Sequence, residues 1–227
     1  MRTIIVVLFL LLYTIVSLPM YLIGFILGKM DPKKKVRMSQ RFVAGGFRCI
    51  LFLSGVKVTV KGKENQIHDK AALYVFNHRS FFDIVVGYAT APIPSAFVSK
   101  KEIEKVPMIS WWMKYLNCLF LDRDDIRQGM KVILTGIELM KEGTNIFIAP
   151  EGTRNSSDEL LPFHEASFKL AEKSKSPIVP VAMNNMDAVL EQHMPWIRRT
   201  HVIIEYCEPI YMDSMEPVSY THLRAHE

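Results

Sequence analysis

One long uncharged segment near the start of the chain limits where this protein can reside. Residues 3–28 carry no charged side chain. As a helix, these roughly 26 residues would extend about 39 Å, enough to cross a hydrocarbon core of about 30 Å when tilted. A secretory signal is the competing interpretation, but its apolar region is shorter and ends in small residues, unlike Lys29-Met30-Asp31. The sequence therefore predicts a membrane-embedded N-terminus.

Two features bear on how this segment meets the membrane. Pro19 divides it into two arms, each short for a crossing, so a re-entrant hairpin is an alternative to a single span. Cations cluster directly behind the segment, at Lys29, Lys33, Lys34, Lys35 and Arg37. The positive-inside rule then places the following domain on the cytoplasmic side, and the same cations attract an anionic membrane surface. Residues 42–56 are also apolar, and we expect an interfacial helix there or, alternatively, an amphipathic helix that covers the domain.

The remainder has the composition of one globular domain. A chain of 227 residues with 12 Pro and 11 Gly can hold one sizeable core. Its net charge of +5 points to anionic surfaces or substrates more than to nucleic acid. The cysteines lie far apart in apolar settings, so we expect buried thiols in a reducing, cytosol-facing location, without disulfides or a zinc site, at Cys49, Cys118 and Cys207. We assign residues 1–56 to the membrane-embedded or interfacial segment and residues 57–213 to the main domain.

Short β-rich runs alternate with helical patterns in the main domain. The strand candidates are residues 57–60, 71–76, 96–99, 118–121, 145–149, 178–183 and 201–206. The clearest helix covers residues 125–142, with apolar residues along one face and Gly143 at its end. This alternation predicts an α/β fold with a largely parallel sheet flanked by helices.

Polar residues follow four of these strands where the strands end. They are His78, Lys100, Arg123 and the run Glu151-Gly152-Thr153-Arg154. Ligands of open α/β sheets bind at the carboxyl ends of strands, so we expect these residues to share one pocket. The planar guanidinium groups of the arginines and the ammonium group of the lysine are expected to bind a phosphate better than a neutral ligand. Gly152 allows close approach of the backbone, and Glu151 is expected to hold the arginines or to bind a hydroxylated ligand.

His78 and Asp83 form the candidate catalytic pair. One continuous helix would point them about 140° apart, but with Ser80 as N-cap, Asp83 falls in the first turn and can face the imidazole. The alternative is that Asp83 only caps the helix, as in a capping box. No serine or cysteine nucleophile stands out. We therefore expect the substrate to supply the attacking hydroxyl, with His78 as general base and Asp83 as its orienting partner.

Four blocks in this order resemble motifs of the glycerolipid acyltransferase family. Asn77-His78-x4-Asp83 is similar to the family's first block, and Pro150-Glu151-Gly152-Thr153-Arg154 to its third. Residues 97–102, with Pro107 and residues 121–123, look like the second block, and residues 177–181 look like the fourth. Together the blocks cover most of residues 57–213. The residues that support the motifs without a direct chemical role are Asn77, Ser80, Pro150 and Pro180.

The resemblance implies transfer of a fatty acyl group from acyl-CoA or acyl-carrier protein to the sn-2 hydroxyl of lysophosphatidic acid. The product would be phosphatidic acid, made for phospholipid biosynthesis at the cytoplasmic face of a membrane. The implied catalytic residues are His78 and Asp83, and the implied acceptor-binding residues are Lys100, Arg123, Glu151, Gly152, Thr153 and Arg154. No bound cofactor or metal is implied, because the thioester is already activated. The alternatives are another lysophospholipid or amphiphilic alcohol as acceptor, and a non-catalytic lysolipid-binding membrane protein.

A few positions depart from the family's pattern. Ser110 and Ala166 stand where glycine is common, and Ala149 replaces a phenylalanine. We expect these changes to alter the local shape of the acceptor and acyl channels and to leave the chemistry unchanged. Residues 218–227 resemble translated sequencing-adaptor read-through, so we expect a non-native tail.

Overall fold

Seven strands form the centre of the main domain. The computed structural model describes residues 1–155, 157 and 159–211. The strands are β1 (Lys57–Lys61), β2 (Leu73–Phe76), β3 (Ser95–Lys100), β4 (Leu119–Leu121), β5 (Asn145–Ile148), β6 (Ile178–Asn184) and β7 (His201–Tyr206). The α-helices are α1 (Arg2–Met30), α2 (Pro32–Ser54), α3 (Phe82–Thr90), α4 (Ile109–Tyr115), α5 (Ile126–Lys141) and α6 (Lys169–Ser174). The predicted tail and the predicted end of the main domain at residue 213 lie outside the described residues.

The strands pair in a single sheet with the order β1-β7-β6-β2-β5-β3-β4. The five strands from β6 to β4 are mutually parallel, whereas β7 pairs antiparallel with β6 and parallel with β1. The predicted α/β fold with a largely parallel sheet is therefore confirmed. In this order the carboxyl ends of β2, β3, β4 and β5 lie at one edge of the sheet. The loops that carry the candidate site residues leave from that edge.

Each face of the sheet is covered by its own hydrophobic cluster. Leu73 and Val75 pack in the cluster that contains residues of α5 and α6. Tyr74 and Phe76 pack in the cluster that contains residues of α2, α3 and α4. This split follows from the two-residue period of a strand. A strand buried on both faces reads as an uninterrupted apolar run, which is why residues 71–76 were recognisable.

The boundaries of several elements differ from expectation by one residue, and the start of β2 differs by two. β2 begins at Leu73 and not at residue 71, because the Ala72 N–H donates to the side-chain Oδ1 of Asn145 at 2.9 Å. The predicted helix at residues 125–142 is confirmed as α5, with Asp125 as its N-cap. The Asp125 carboxylate accepts hydrogen bonds from the N–H groups of Arg127 and Gln128 at 2.9 and 3.0 Å.

The N-terminal helix α1 runs unbroken through Pro19. By length and composition it could cross a membrane, and it is the one such helix in the part of the chain described. It nevertheless contacts the main domain near both ends. Thr3 Oγ1 accepts a hydrogen bond from the Ile197 N–H at 2.8 Å, and the Tyr21 ring stacks on Tyr115 with centroids 4.2 Å apart. The hairpin predicted as an alternative therefore does not turn at Pro19. It turns at Asp31, and α2 runs back along α1.

Helix α2 packs against the domain with one face. Asp31 caps it by accepting from the Lys34 N–H at 2.9 Å, and Gly55 ends it at φ +71°. Arg48 of α2 donates twice to the Ala89 carbonyl at the end of α3, at 3.1 and 2.9 Å. These contacts support the alternative of an amphipathic helix that covers the sheet. Contact between the remaining face of α2 and a membrane stays a prediction.

The cysteines only partly follow the prediction of buried thiols. None of these three described cysteines forms a disulfide, and Cys118 is buried beside the Tyr88 hydroxyl at 3.0 Å. Cys207 is half-buried, and Cys49 is exposed on α2. The prediction was wrong for Cys49 because its apolar neighbours cover other faces of the helix.

Candidate active site

Polar residues from four strand ends line one large cavity, as the sequence predicted. The cavity has a volume of about 1960 Å³. Its polar lining includes His78, Lys100, Arg123, Gly152, Thr153 and Arg154. Apolar side chains from α1 and α2 line the same space, among them Val6, Leu10, Val43 and Phe47. A cationic region and a long apolar region thus share one cavity.

The imidazole of His78 is held by Asp83. The His78 Nδ1 lies 2.7 Å from the Asp83 Oδ2. This hydrogen bond fixes Nδ1 as the protonated nitrogen beside a carboxylate, so Nε2 remains as the acceptor. The Asp83 side chain is 0% exposed, whereas that of His78 is 23% exposed. The pair therefore has one buried member and one that solvent and ligands can reach.

Asp83 also caps the start of α3, as the capping interpretation of this segment predicted. Its Oδ2 accepts from the N–H groups of Arg79 and Ser80, each at 2.7 Å. In return, the Ser80 Oγ accepts from the Phe82 N–H at 2.9 Å. This is the reciprocal pattern of a capping box. The cap aims the carboxylate back at the preceding loop, where His78 lies.

The hydrogen bonds of Asp83 are concentrated on one of its oxygens. Oδ2 accepts three bonds, while Oδ1 is buried and has no hydrogen-bond partner among the described residues. Asp83 is therefore held entirely through Oδ2, the same oxygen that contacts the His78 imidazole.

Two asparagines fix the backbone on either side of His78. The Asn77 amide donates to the Met183 carbonyl at 2.9 Å and accepts from the Met183 N–H at 2.8 Å, which joins the end of β2 to β6. The Asn155 N–H donates to the His78 carbonyl at 2.8 Å. His78 is therefore positioned by β6 on one side and by the loop after β5 on the other. No sequence pattern pointed to Asn155.

The loop after β5 brings several cationic groups close together. Gly152 has φ +73°, and a Cβ built there would lie 2.9 Å from the His164 ring and 3.6 Å from the Arg123 Nε. Glycine is therefore required both by the backbone conformation and by the close approach of these groups. The Pro150 carbonyl accepts from the His164 N–H at 2.9 Å, which keeps His164 at this loop. His164 lines the cavity and was not predicted.

Glu151 does not hold the arginines, contrary to one expectation. Its side chain is 5% exposed, and Oε2 accepts from the Asn155 Nδ2 at 2.8 Å and from the Leu161 N–H at 2.9 Å. Glu151 therefore fixes the shape of the loop that carries Gly152 and Arg154. Its predicted role in acceptor binding stays a prediction that these contacts do not favour.

Glu191 takes the role expected of Glu151. Its Oε1 lies 3.7 Å from the Arg154 Nη1, and the Arg154 guanidinium lies over the Phe81 ring, 4.2 Å from the centroid. Glu191 also accepts from the Ser80 hydroxyl at 2.6 Å and from the Phe81 N–H at 2.7 Å. It lies in a 3₁₀ helix, Glu191–His193, about 110 positions from its partners. Sequence analysis missed this residue.

Lys100, at the end of β3, lines the cavity as predicted. Its neighbour Lys101 contacts Asp122, the residue directly before Arg123. Lys101 Nζ donates to the Asp122 Oδ2 at 2.9 Å. This hydrogen bond lowers the pKa of the Asp122 carboxyl and raises the pKa of the Lys101 ammonium. The pair joins β3 to β4 beside Arg123. Pro180 lies within β6 beside Val75 of β2, as expected for a residue that supports the site from the sheet.

Comparison with known proteins identifies the family. The family model described as Acyltransferase matches residues 57–184. The chain belongs to the acyltransferase family. It is 30% identical over 185 residues to a 1-acyl-sn-glycerol-3-phosphate acyltransferase of Saccharomyces cerevisiae, an alignment that covers 80% of this chain and 61% of the relative. The resemblance that the four blocks indicated is thereby confirmed.

Other relatives carry the same name. The chain is 33% identical over 150 residues to the chloroplastic 1-acyl-sn-glycerol-3-phosphate acyltransferase BAT2 of Brassica napus, covering 65% of this chain and 43% of the relative. The chain thus spans less than two thirds of the length of these two relatives. The crystal structure of the 1-acyl-sn-glycerophosphate (LPA) acyltransferase PlsC from Thermotoga maritima shares the fold, with a TM-score of 0.73. It is 24% identical, and the match covers 99% of this chain and 93% of that one.

Proposed function

We propose that this acyltransferase moves a fatty acyl group from a thioester to the sn-2 hydroxyl of lysophosphatidic acid, giving phosphatidic acid. The observation that carries this proposal is the His78–Asp83 pair, at 2.7 Å, in a cavity lined both by arginines and by the apolar helix α1. The names of the relatives agree with it. Phospholipid biosynthesis is the corresponding role.

His78 acts as the general base. Because Nδ1 is bound to Asp83, Nε2 accepts the proton of the acceptor hydroxyl as its oxygen attacks the thioester carbonyl carbon. A C–O bond forms, the C–S bond breaks, and the departing thiolate takes the proton from the imidazolium. Asp83 stabilises the imidazolium between these two steps. The substrate supplies the nucleophile, so no covalent acyl-enzyme is needed.

The acceptor phosphate binds to the cationic side of the cavity. Arg123 and Arg154 present planar forks that suit phosphate oxygens, and Lys100 adds a point charge. Gly152 and Thr153 bring the backbone of their loop to the same wall. A phosphate site here favours a phosphorylated acceptor such as lysophosphatidic acid over a neutral alcohol.

The acyl chains occupy the apolar side of the cavity. Residues of α1 and α2 line this side, and acyl chains prefer such a surface to water. The donor is acyl-CoA or acyl-carrier protein, whose thioester is activated without a bound cofactor. Among the described residues, no cluster of three or more His, Cys, Asp or Glu side chains has the arrangement of a metal site.

Membrane attachment follows from the exposed face of α1. Most of its large apolar side chains are exposed, including Leu8, Leu11, Leu12 and Ile15. Helix α1 contacts the domain near both ends, so the proposed arrangement is a helix embedded along the membrane surface beside the domain. The cations at residues 29–37 support a position of the domain on the cytoplasmic side, next to anionic lipid.

The test is acyl transfer by the purified full chain in the wild type and in His78→Ala. Substrates are lysophosphatidic acid and a panel of acyl-CoA and acyl-carrier-protein donors. We expect the variant to fold and bind acceptor while kcat falls by about 10² to 10⁴, the usual contribution of general-base catalysis. His68→Ala, an exposed histidine outside the cavity, is the matched control. Unchanged turnover in His78→Ala would refute His78 as the general base, whereas an absence of acyl transfer by the wild type would leave a non-catalytic lysolipid-binding protein as the better description.

A further inference from the structure

We propose that Glu191 is a positioning residue for acyl transfer, which holds the turn that carries His78 and Asp83. This inference rests on the proposed function. Glu191 lies outside the four family blocks, in the segment between β6 and β7. Its carboxylate contacts that turn at two points: Oε2 accepts from the Ser80 hydroxyl at 2.6 Å, and Oε1 accepts from the Phe81 N–H at 2.7 Å.

With Glu191 in place, every backbone N–H from residue 79 to residue 82 has a side-chain acceptor. Arg79 and Ser80 donate to Asp83, Phe81 donates to Glu191, and Phe82 donates to the Ser80 Oγ. The first N–H groups of a helix have no partner within the helix, so the direction of the turn depends on these acceptors. Asp83 alone satisfies only half of them. Glu191 satisfies a third group and directs the Ser80 hydroxyl that satisfies the fourth.

The Ser80 hydroxyl links the two carboxylates. Ser80 is fully buried, and its oxygen accepts from Phe82 while its proton goes to Glu191. Without Glu191 the hydroxyl would lose its acceptor and would rotate, and the bond to Phe82 would weaken. The Ser80 N–H, which binds the Asp83 Oδ2, belongs to the same residue. A displacement at Glu191 is therefore transmitted to the carboxylate that aligns His78.

Glu191 also contacts Arg154, one of the residues proposed to bind the acceptor phosphate. The pair is separated by 3.7 Å, and the Arg154 side chain is 43% exposed. An ion pair this exposed is weak, so a phosphate can replace Glu191 as the partner of Arg154 at little cost. We therefore expect the loss of Glu191 to disturb the turn that carries His78 and Asp83, which lowers kcat, and to leave the affinity for the acceptor nearly unchanged.

The test compares the wild type with Glu191→Ala and Glu191→Gln, measuring kcat, acceptor KM and melting temperature. We expect Glu191→Ala to lower kcat by about tenfold to a hundredfold, since it leaves an N–H and a hydroxyl unpaired. The KM for lysophosphatidic acid should change by less than about threefold, because the ion pair is exposed. Glu191→Gln retains an oxygen acceptor for the Phe81 N–H but presents an NH2 group in place of the oxygen that accepts from the Ser80 hydroxyl, so its kcat should lie between those of Glu191→Ala and the wild type. His193→Ala, exposed on the same 3₁₀ helix, is the matched control and should keep the wild-type kcat.

A double-mutant cycle with Ser80→Ala separates positioning from general stability. If Glu191 acts through the Ser80 turn, the double variant should be no slower than the slower single variant. Losses that multiply would overturn the proposal, as would a Glu191→Ala kcat within threefold of wild type. Should Glu191→Ala fail to fold, the cycle is run with Glu191→Gln. A wild type without acyl transfer refutes the proposed function, whereas an active wild type with a fully active Glu191→Ala refutes only the role of Glu191.

Discussion

Replacing Asp83 by asparagine tests whether its charge is needed or only its capping geometry. The substitution keeps the size of the side chain and an oxygen that can accept from the Arg79 and Ser80 N–H groups. It removes the negative charge 2.7 Å from the His78 Nδ1. At an effective dielectric constant of about 20, two unit charges at that distance attract by about 6 kcal/mol. The amide dipole retains part of this, so we expect a loss of about 3 to 6 kcal/mol of transition-state stabilisation, or about 10² to 10⁴ in kcat.

The assay is the initial rate of phosphatidic acid formation from lysophosphatidic acid and an acyl thioester, with thermal unfolding measured on the same preparations. Asparagine caps helices as well as aspartate does, so the melting temperature should change by less than about 4 °C. Asp31→Asn is the matched control, because the Asp31 carboxylate also accepts a backbone hydrogen bond at a helix start, as the N-cap of α2, and lies outside the cavity. It should keep the wild-type rate.

Two outcomes would contradict this account of Asp83. A kcat within tenfold of wild type would show that the carboxylate charge is unnecessary and that Asp83 serves as a cap. A large fall in melting temperature with a matching loss of active protein would show that the substitution disrupts the turn. In either case the assignment of His78 as a base supported by Asp83 would need to be withdrawn.

Two further predictions concern the acceptor side of the cavity. Arg154→Met should raise the KM for lysophosphatidic acid by about tenfold to a hundredfold, since it removes charge-assisted hydrogen bonds to phosphate, while Arg198→Met, exposed and outside the cavity, should not. Equal wild-type rates on a phosphate-free alcohol would refute the phosphate-binding role. Gly152→Ala should destabilise the protein by about 1 to 2 kcal/mol, seen as a melting temperature lower by about 2 to 8 °C, because the residue has φ +73° and faces His164 at 2.9 Å. An unchanged melting temperature would show that the loop adapts at no cost.

The strands and the contact between His78 and Asp83 were predictable because both depend on residues close in sequence. A buried parallel strand is apolar throughout, and it ends where the polar residues begin, as at Phe76 and Asn77. A capping pattern joins two residues three positions apart, so the positions of Ser80 and Asp83 at the start of a helix could be predicted from the sequence. The site positions of Lys100 and Arg123 followed from the rule that strand ends share an edge.

Other features depend on contacts between distant residues, which one sequence does not encode in a readable pattern. Glu191 meets Ser80 and Phe81 across about 110 positions and lies in a single 3₁₀ turn. The buried position of Glu151 is set by Asn155 and by the Leu161 N–H, neither of which belongs to a recognised block.

The packing of α1 against the cavity has a consequence for how this protein can be divided. In many membrane-attached proteins the anchor can be cut off, leaving a soluble domain with its active site intact. Here seven residues of α1, from Thr3 to Ser17, form part of the wall of the cavity that contains His78. A chain that begins at α2 would keep His78 and Asp83 but would open one side of the space around them to water. Helix α1 and the cavity are therefore parts of a single structural unit, and neither can be replaced without changing the other.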